Sequence, residues 1–343
     1  MKCNSLRFII LFLIISYSCN SSVYSHVFNN KLDIIITKNL EGEAALELAT
    51  GDLSNTLTSL FEIETSLRTE IDLERAAPNS IFVIKIDDDL WQEKLTKKVG
   101  IVKPFLSEDG FIIKRINYND KPLILISGNG VRGTSYGIFH FIERIKLDYS
   151  FAYGKIDIIK QPDMKIRMIT QPFEAVGYPD LANLPKPITK NIKREFDPMR
   201  PWEGLGYSPE DEARNILRTG LNTMWVGNFS FSTLYDNYDS TIFPEISEAG
   251  QWVRERKQKI SELIDIANKY HLKTVASSDI FIYPKGQDPS KKWDLLDYSL
   301  NEFLTNFPDI DIITTRFGEN YSYYNNFFVG EGLDTKGIEE KFP

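Results

Sequence analysis

Residues 208–228, SPEDEARNILRTGLNTMWVGN, contain the signals for a complete helix followed by those for a strand. Ser208 is suited to cap the helix, Pro209 suits its first position, and acidic residues fill its first turn. Gly220 suits the end of the helix, and the apolar residues after it predict a strand. The stretch therefore predicts one helix and strand unit of an α/β fold.

The same unit recurs along the second half of the chain. Residues 252–271, WVRERKQKISELIDIANKYH, have apolar residues at helical spacing and lead into the strand LKTVASSD, 272–279. Residues 291–307, KKWDLLDYSLNEFLTNF, lead into DIDIITTRFGEN, 309–320, and KIRMITQ, 165–171, predicts an earlier strand. Helices that alternate with short apolar strands favour a parallel sheet with crossover helices.

The predicted strands begin near residues 166, 222, 272 and 310, which is the spacing of a (β/α)₈ barrel. Four strands make half of such a barrel, a whole barrel needs about 250 residues, and only about 24 residues follow Glu319. We therefore expect a truncated, partial TIM-type barrel. The alternative is an open four-stranded sheet, whose free edges would favour aggregation.

Reactive side chains in barrels of this kind lie where strands meet the loops that follow them. The first predicted strand ends at Gln171, the second at Asn228, and the third at Ser277-Ser278-Asp279. The fourth is followed by a polar and aromatic cluster, which comprises Arg316, Glu319, Asn320 and Tyr321. We predict that sugar-binding and catalytic groups lie at these strand ends.

Glu319 is the strongest candidate for a general acid. Hydrolysis of a glycoside needs a proton on the leaving oxygen, and shielding by Tyr321, Tyr323 and Tyr324 would raise the pKa of this carboxyl group. The alternative is a structural role, in which Glu319 pairs with Arg316 or caps the next turn.

Asp279 is the strand-end acid that could act together with Glu319, as a second catalytic carboxylate. Its alternative roles are to bind a substrate hydroxyl or to cap a loop. Arg200 and Trp202, in the loop after the first predicted strand, would suit an anionic or pyranose ligand through fork bonding and stacking, or would simply hold the loop together.

The first half of the chain predicts a small α+β domain. LDIIITK, 32–38, and SIFVIKI, 80–86, predict strands, and the helical spacing between them, over 41–63, is interrupted near Gly51. Residues 110–129, GFIIKRINYNDKPLILISGN, predict a hairpin that turns at Asn119-Asp120, and a helix follows it.

Gly128, Gly130 and Gly133 spell G-x-G-x-x-G, a dinucleotide-binding pattern. Here it follows the second strand of a hairpin late in the domain, so we interpret it as a tight turn from strand to helix. We expect no cofactor, and the three histidines lack the spacing of metal ligands.

Residues 124–145, ILISGNGVRGTSYGIFHFIERI, resemble the end of the α+β domain that precedes the catalytic barrel in α-glucuronidases and β-hexosaminidases. The resemblance implies a glycoside hydrolase in which Glu319, at the end of the fourth barrel strand, is the general acid. The hexosaminidases have an Asp directly before that Glu, whereas this chain has Gly318, so catalysis assisted by an acetamido group is not expected. The α-glucuronidases take their base carboxylates from later strands.

The first 25 residues have the pattern of an export signal, with Lys2 and Arg7 around an apolar run too short to cross a bilayer. Cys19 follows this run as in a bacterial lipoprotein box, although Ser16 stands where that box usually has Leu. We expect lipidation at Cys19; the alternative is ordinary cleavage, for example after Ser25. The expected location is the periplasm or the cell surface, with a lipid anchor as the only membrane contact.

The net charge of −8 and the absence of a long run of basic residues argue against a nucleic acid partner, while 13% aromatic residues suit stacking on sugar rings. The expected organisation is a signal peptide (1–25), an α+β domain (26–160) and the first half of a TIM-barrel catalytic domain (161–343). The expected function is carboxylate-catalysed hydrolysis of an oligo- or polysaccharide outside the cell. The alternative is a non-catalytic glycan-binding surface lipoprotein.

Overall fold

The structure is a computed structural model, and it describes residues 31–69, 73–89, 95–97, 99–168, 208–228, 248–279, 282–284, 288–316 and 328–330. The chain divides into two compact units, Met1–Lys165 and Ile166–Pro343. We call them unit one and unit two. No described helix has both the length and the apolar character needed to cross a membrane.

Unit one contains a six-stranded mixed sheet in the order β2-β1-β3-β5-β4-β6. Strands β2, β1, β3 and β5 are parallel, whereas β4 runs antiparallel to both β5 and β6. The elements of this unit in chain order are β1 (Lys31–Ile36), α1 (Ala44–Phe61), β2 (Glu64–Thr69), β3 (Ile81–Lys85), β4 (Phe111–Tyr118), β5 (Lys121–Gly128), α2 (Val131–Leu147) and β6 (Asp157–Lys160).

Both faces of this sheet are covered. Helix α2 packs on β5 and β4, and α1 packs against α2. On β5 the side chain of Ile126 lies under Gly137 of α2, whereas the neighbouring Leu125 belongs to the buried cluster that includes Leu95 and Leu106. The alternation of side chains along β5 thus supplies apolar contacts to both layers.

The predicted hairpin is confirmed, because Asn119 and Asp120 both have positive φ, at 49° and 62°, as a tight two-residue turn requires. The expected interruption near Gly51 is wrong, since α1 is continuous through that residue. A single helical glycine costs only about 1 kcal/mol, and the buried face of α1 offsets it. Strands β2 and β6 were not predicted, because they are sheet edges without an alternating apolar pattern.

The glycine pattern between β5 and α2 is explained by close backbone packing. A Cβ atom on Gly128 would lie 2.1 Å from the backbone nitrogen of Thr134, and one on Gly133 would lie 2.7 Å from the carbonyl oxygen of Gly110. The first turn of α2 therefore contacts the end of β5 and the preceding loop through backbone atoms. This supports the interpretation of a tight turn from strand to helix.

Buried Arg132 fixes the same loop from within α2. Its guanidinium group forms ion pairs with Asp109, which is also buried, and with Glu108, at 2.9 Å. Burial by itself would lower the pKa of Arg132, but the charge of Asp109 and the hydrogen bond to it raise that pKa above its ordinary value. The Gly-Val-Arg-Gly turn thus has a structural role in unit one, because it attaches α2 to the loop that contains Glu108 and Asp109.

Unit two contains a three-stranded, entirely parallel sheet in the order β10-β8-β7, and a two-stranded antiparallel ribbon of β9 and β11. Helix α4 packs on β7 and β8. The elements are α3 (Pro209–Arg218), β7 (Thr223–Asn228), α4 (Glu248–Lys269), β8 (Lys273–Asp279), β9 (Ile282–Pro284), α5 (Lys292–Asn306), β10 (Ile312–Arg316) and β11 (Phe328–Gly330).

The helix and strand units predicted from residue 208 onward are confirmed. The capping box is present, since the Ser208 hydroxyl accepts a hydrogen bond from the Asp211 backbone nitrogen while the Asp211 carboxylate accepts one from the Ser208 backbone. The described part of the first predicted strand, residues 165–168, is not assigned as strand, so that prediction is not supported there. Residues 169–171 of that prediction lie outside the described residues.

Candidate active site

The carboxyl ends of three parallel strands meet at one edge of the unit-two sheet. Strand β7 ends at Asn228, β8 at Asp279 and β10 at Arg316. In the backbone register Asn228 pairs with Ser277, and Asp279 pairs with Arg316. The structure therefore brings an amide, a carboxylate and a guanidinium position to one edge, which we call the carboxyl edge.

A β-bulge in β7 sets this alignment. Trp225 pairs with Val275, but the next pair is Gly227 with Ala276, so one residue of β7, Val226, has no partner on β8. Because side chains alternate along a strand, the extra residue places position 228 on the same face of the sheet as position 225. Sequence reasoning put Asn228 at a strand end but could not choose its face.

The opposite edge of the sheet is held together by side chains that bond to backbone. Buried Asn222 accepts a hydrogen bond from the Arg167 backbone nitrogen at 2.8 Å, and its own backbone nitrogen donates to the Arg167 carbonyl at 3.0 Å. The Arg167 guanidinium also donates to the Gly220 carbonyl at 2.8 Å. Arg167, in the described part of the segment predicted as the first strand, thus lies beside the start of β7, although that part is not assigned as strand.

A matching contact joins β8 to β10 at this edge. The Asp311 carboxylate accepts a hydrogen bond from the Thr274 backbone nitrogen at 2.8 Å, and the Thr274 hydroxyl accepts one from the Asp311 backbone nitrogen at 3.1 Å. This edge, which we call the amino edge, is therefore held together by hydrogen bonds between side chains and backbone.

Helices α3 and α4 are joined by a charged network. The Glu210 carboxylate accepts hydrogen bonds from Lys269, at 2.8 Å, and from the Tyr270 hydroxyl, at 2.7 Å, while Arg214 donates to Tyr270 at 3.0 Å. The bond from Lys269, followed by that from Tyr270, lowers the pKa of Glu210 to about 2. This network fixes the helix layer.

Glu212, one turn from the start of α3, was not predicted to be special. It is buried, and burial raises the pKa of its carboxyl group to about 7. The signal was present, because Glu212 lies four residues before Ile216 and next to Ala213, on the apolar face of α3. Its carboxyl group is thus part of the buried face of α3.

Several predicted site residues lie outside the described residues, and their roles stay predictions. These are Glu319, Asn320, Tyr321, Arg200, Trp202, Gln171 and the lipidation site Cys19. The positions of Asn228, Asp279 and Arg316 at strand ends are described, so the structure brings these three together. Of the three parallel strand ends, that of β8 alone carries a carboxylate.

Within the described residues no group of three or more His, Cys, Asp or Glu side chains is arranged to hold a metal ion. The chemistry available at the described carboxyl edge is that of one carboxylate position next to one guanidinium position.

Comparison with known proteins gives one family match. Residues 22–141 match the family described as Glycosyl hydrolase family 67 N-terminus. No curated protein matches the chain significantly.

Three solved structures are similar over most of this chain. A GH138 enzyme targeting pectin rhamnogalacturonan II is 14% identical, with a TM-score of 0.48, and the match covers 82% of this chain and 30% of that one. The protein CpGH84B is 14% identical with a TM-score of 0.42, covering 84% of this chain and 40% of its own. CpGH84D is 13% identical with a TM-score of 0.38, covering 82% and 40%.

This chain therefore spans about 30 to 40% of the length of the solved chains that it matches. The family match falls on the region whose glycine turn and helix suggested the resemblance. Residues 22–141 are thus similar to the N-terminal domain of glycosyl hydrolase family 67, which agrees with the resemblance to the α-glucuronidase group of glycoside hydrolases.

Proposed function

We propose that this chain is part of an exported glycoside hydrolase that cleaves glycosidic bonds in an extracellular oligo- or polysaccharide. The observation that carries the proposal is the match of residues 22–141 to a glycosyl hydrolase N-terminal family. It is supported by the polar carboxyl edge of unit two, where Asn228, Asp279 and Arg316 end three neighbouring parallel strands.

In this proposal unit two contributes the first strands of a (β/α)₈ barrel. Strands β7, β8 and β10 lie side by side in the sheet in the order in which they occur along the chain, and helices α4 and α5 lie between them in sequence, as successive units of a barrel require. Arg167 beside the start of β7 is the expected place of the preceding strand.

Glu319 is proposed as the general acid, which protonates the leaving glycosidic oxygen as the bond to the sugar breaks. Asp279, which pairs with Arg316 in the backbone register, is the proposed second carboxylate. A separation of about 5 Å between the two carboxyl groups would give retention of configuration, and about 6.5 to 9.5 Å would give inversion. The remaining proposed binding residues are Asn228, Arg316, Asn320, Tyr321, Arg200 and Trp202.

The test is the Glu319→Gln variant, assayed for hydrolysis and for binding of 4-nitrophenyl pyranosides and soluble plant polysaccharides. We expect turnover to fall by at least a hundredfold, because one proton donor contributes about 10² to 10⁴ in rate, while binding stays within about threefold. Glu255→Gln, at an exposed position of α4, is the matched control.

Unchanged turnover in Glu319→Gln would remove this residue from the mechanism. Glycan binding by the wild-type chain without any turnover would favour the alternative, a non-catalytic glycan-binding lipoprotein. Export and anchoring are tested separately with Cys19→Ser, which should move the protein from the membrane fraction to the soluble exported fraction. Retention of the variant in the membrane fraction would contradict lipidation at Cys19.

A further inference from the structure

The backbone register of unit two arranges one face of the sheet in three successive rows. The first row is Trp225, Val275 and Ile312, the second is Asn228, Ser277 and Thr314, and the third is Asp279 and Arg316. Going toward the carboxyl edge, the residue types change from apolar to uncharged polar to charged. We call the second row the polar row.

The polar row exists because of the β-bulge in β7. If pairing continued regularly after Trp225, Val226 would pair with Ala276 and Gly227 would be level with Ser277. The bulge instead places an Asn there, in line with a Ser and a Thr on the two neighbouring strands. Bulges are common beside active sites, where they redirect a side chain.

Burial differs between the two faces of this sheet. Trp225, Ile312 and Thr314, on the face of the polar row, are partly exposed, whereas Met224 and Ala276, on the other face, are buried. Three uncharged polar residues in one row on the more accessible face suit contact with water or with the hydroxyl groups of a ligand, since buried polar groups need hydrogen-bond partners.

We propose that the polar row binds the hydroxyl groups of an uncharged part of a pyranose ring, with Ser277 and Thr314 as binding residues in addition to Asn228. Amide and hydroxyl groups each donate and accept hydrogen bonds, which matches the donor and acceptor character of sugar hydroxyls. The inference rests on the proposed function only in taking a glycan as the ligand. It does not require that the chain be catalytic.

The opposite face of the same strands offers a matched control. Ser278 and Thr315 are paired with each other in the register, one residue further along than Ser277 and Thr314, and therefore lie on the other face. The two pairs have the same chemistry, the same strands and neighbouring positions. Only the face of the sheet differs.

The experiment measures binding of a panel of 4-nitrophenyl pyranosides, with gluco, galacto, xylo, rhamno and glucurono rings, to the full chain by titration calorimetry. We expect Ser277→Ala with Thr314→Val to weaken binding of the best-bound pyranoside about tenfold, since two hydrogen bonds to the ligand would be lost. Ser278→Ala with Thr315→Val should change that affinity less than twofold.

A second pair of variants separates hydrogen bonding from folding. Thr314→Ser keeps the hydroxyl group and should keep the affinity, whereas Thr314→Val keeps the shape and should lose affinity about threefold to fivefold. Equal losses in the two double variants, or loss in Thr314→Ser, would overturn the proposal, as would wild-type protein that binds none of the pyranosides.

These outcomes are separable from those for the proposed function. One outcome is that hydrolysis depends on Glu319 while Ser277→Ala with Thr314→Val leaves binding unchanged. This result would refute the binding role of the polar row and would leave the glycosidase proposal intact. The other outcome is that binding depends on the polar row but no hydrolysis occurs. This result would refute the glycosidase proposal and support the binding role of the polar row.

Discussion

Glu212 shows how one residue gives unit two a dependence on pH. Its carboxyl group ordinarily titrates near 4.5, and burial in the folded chain raises the pKa to about 7. The folded state therefore holds a proton that the unfolded chain releases between these two values. The contribution of Glu212 to the free energy of unfolding is therefore most favourable below pH 4.5. It falls as the pH rises from 4.5 to 7 and is constant above that range.

We predict that Glu212→Gln removes this dependence and stabilises the protein at pH 8 by about 3 kcal/mol relative to wild type. Near pH 4.5 the two proteins should differ by less than about 1 kcal/mol, because both side chains are then neutral. The measurement is native-state hydrogen exchange of residues 208–222 as a function of pH. Glu255→Gln, at an exposed site, should leave the profile unchanged.

A wild-type profile for residues 208–222 that is flat between pH 5 and 7.5 would show that Glu212 is ionised in the folded chain. The same experiment would then point to a charged partner or to solvent contact at this position.

At the scale of elements, the glycine turn before α2 illustrates a pattern with two interpretations. G-x-G-x-x-G is shared by phosphate-binding loops and by turns that need close packing. The two differ in which glycines are required for the fold. In this chain the space around Gly133 is filled by backbone atoms, whereas a Cβ atom on Gly130 would come no closer than 4.0 Å to any neighbour.

We expect Gly133→Ala to destabilise unit one by about 2 kcal/mol or more, because the contacted carbonyl groups of Gly110 and Glu108 belong to backbone and cannot rotate away. Gly130→Ala should cost less than about 1 kcal/mol. Urea unfolding of the full chain, followed by far-UV circular dichroism, measures both. Equal effects of the two substitutions would contradict the packing explanation.

The two edges of the unit-two sheet carry different kinds of residues. Asn222 and Asp311 secure the amino edge through hydrogen bonds to backbone, and the described strand ends at the carboxyl edge carry the polar positions. Between helices α4 and α5, Lys257 and Glu302 form a largely buried ion pair at 2.7 Å, which ties consecutive crossover helices together. The contacts in the helix layer and at the amino edge thus stabilise the sheet whose other edge carries the candidate site residues.

At the scale of the whole molecule, unit one has the features of a domain that can fold independently. Its sheet has apolar contacts on both faces, and its ion pair between Arg132 and Asp109 is satisfied within the unit. We predict that residues 26–165 produced alone fold cooperatively, with a free energy of unfolding of about 5 to 10 kcal/mol.

Coincident urea transitions by near-UV and far-UV circular dichroism would support this prediction. Gly133→Ala should lower the midpoint in the isolated unit as it does in the full chain. Loss of the near-UV signal with retained helix content would instead show that unit one needs the rest of the chain to pack.

The sequence alone determined the elements with strong local signals. The capping box and apolar spacing of α3, the alternation of helices and strands after it, and the Asn119-Asp120 hairpin are local properties, and each was predicted. The ends of β7, β8 and β10 followed from the same patterns. Edge strands β2 and β6 could not be predicted, because their stability comes from pairing with a neighbour and not from their own apolar residues.

Only the tertiary structure decided which strand-end residues share a face. The bulge at Val226 changes which residues of β7 share a face of the sheet. The bulge depends on hydrogen bonding to β8, which no local pattern encodes. Tertiary packing likewise decided that Glu212 is buried and that Gly51 continues a helix, because both depend on what the helix packs against. Local periodicity specifies an element, but neighbouring elements determine the register and the environment of each side chain.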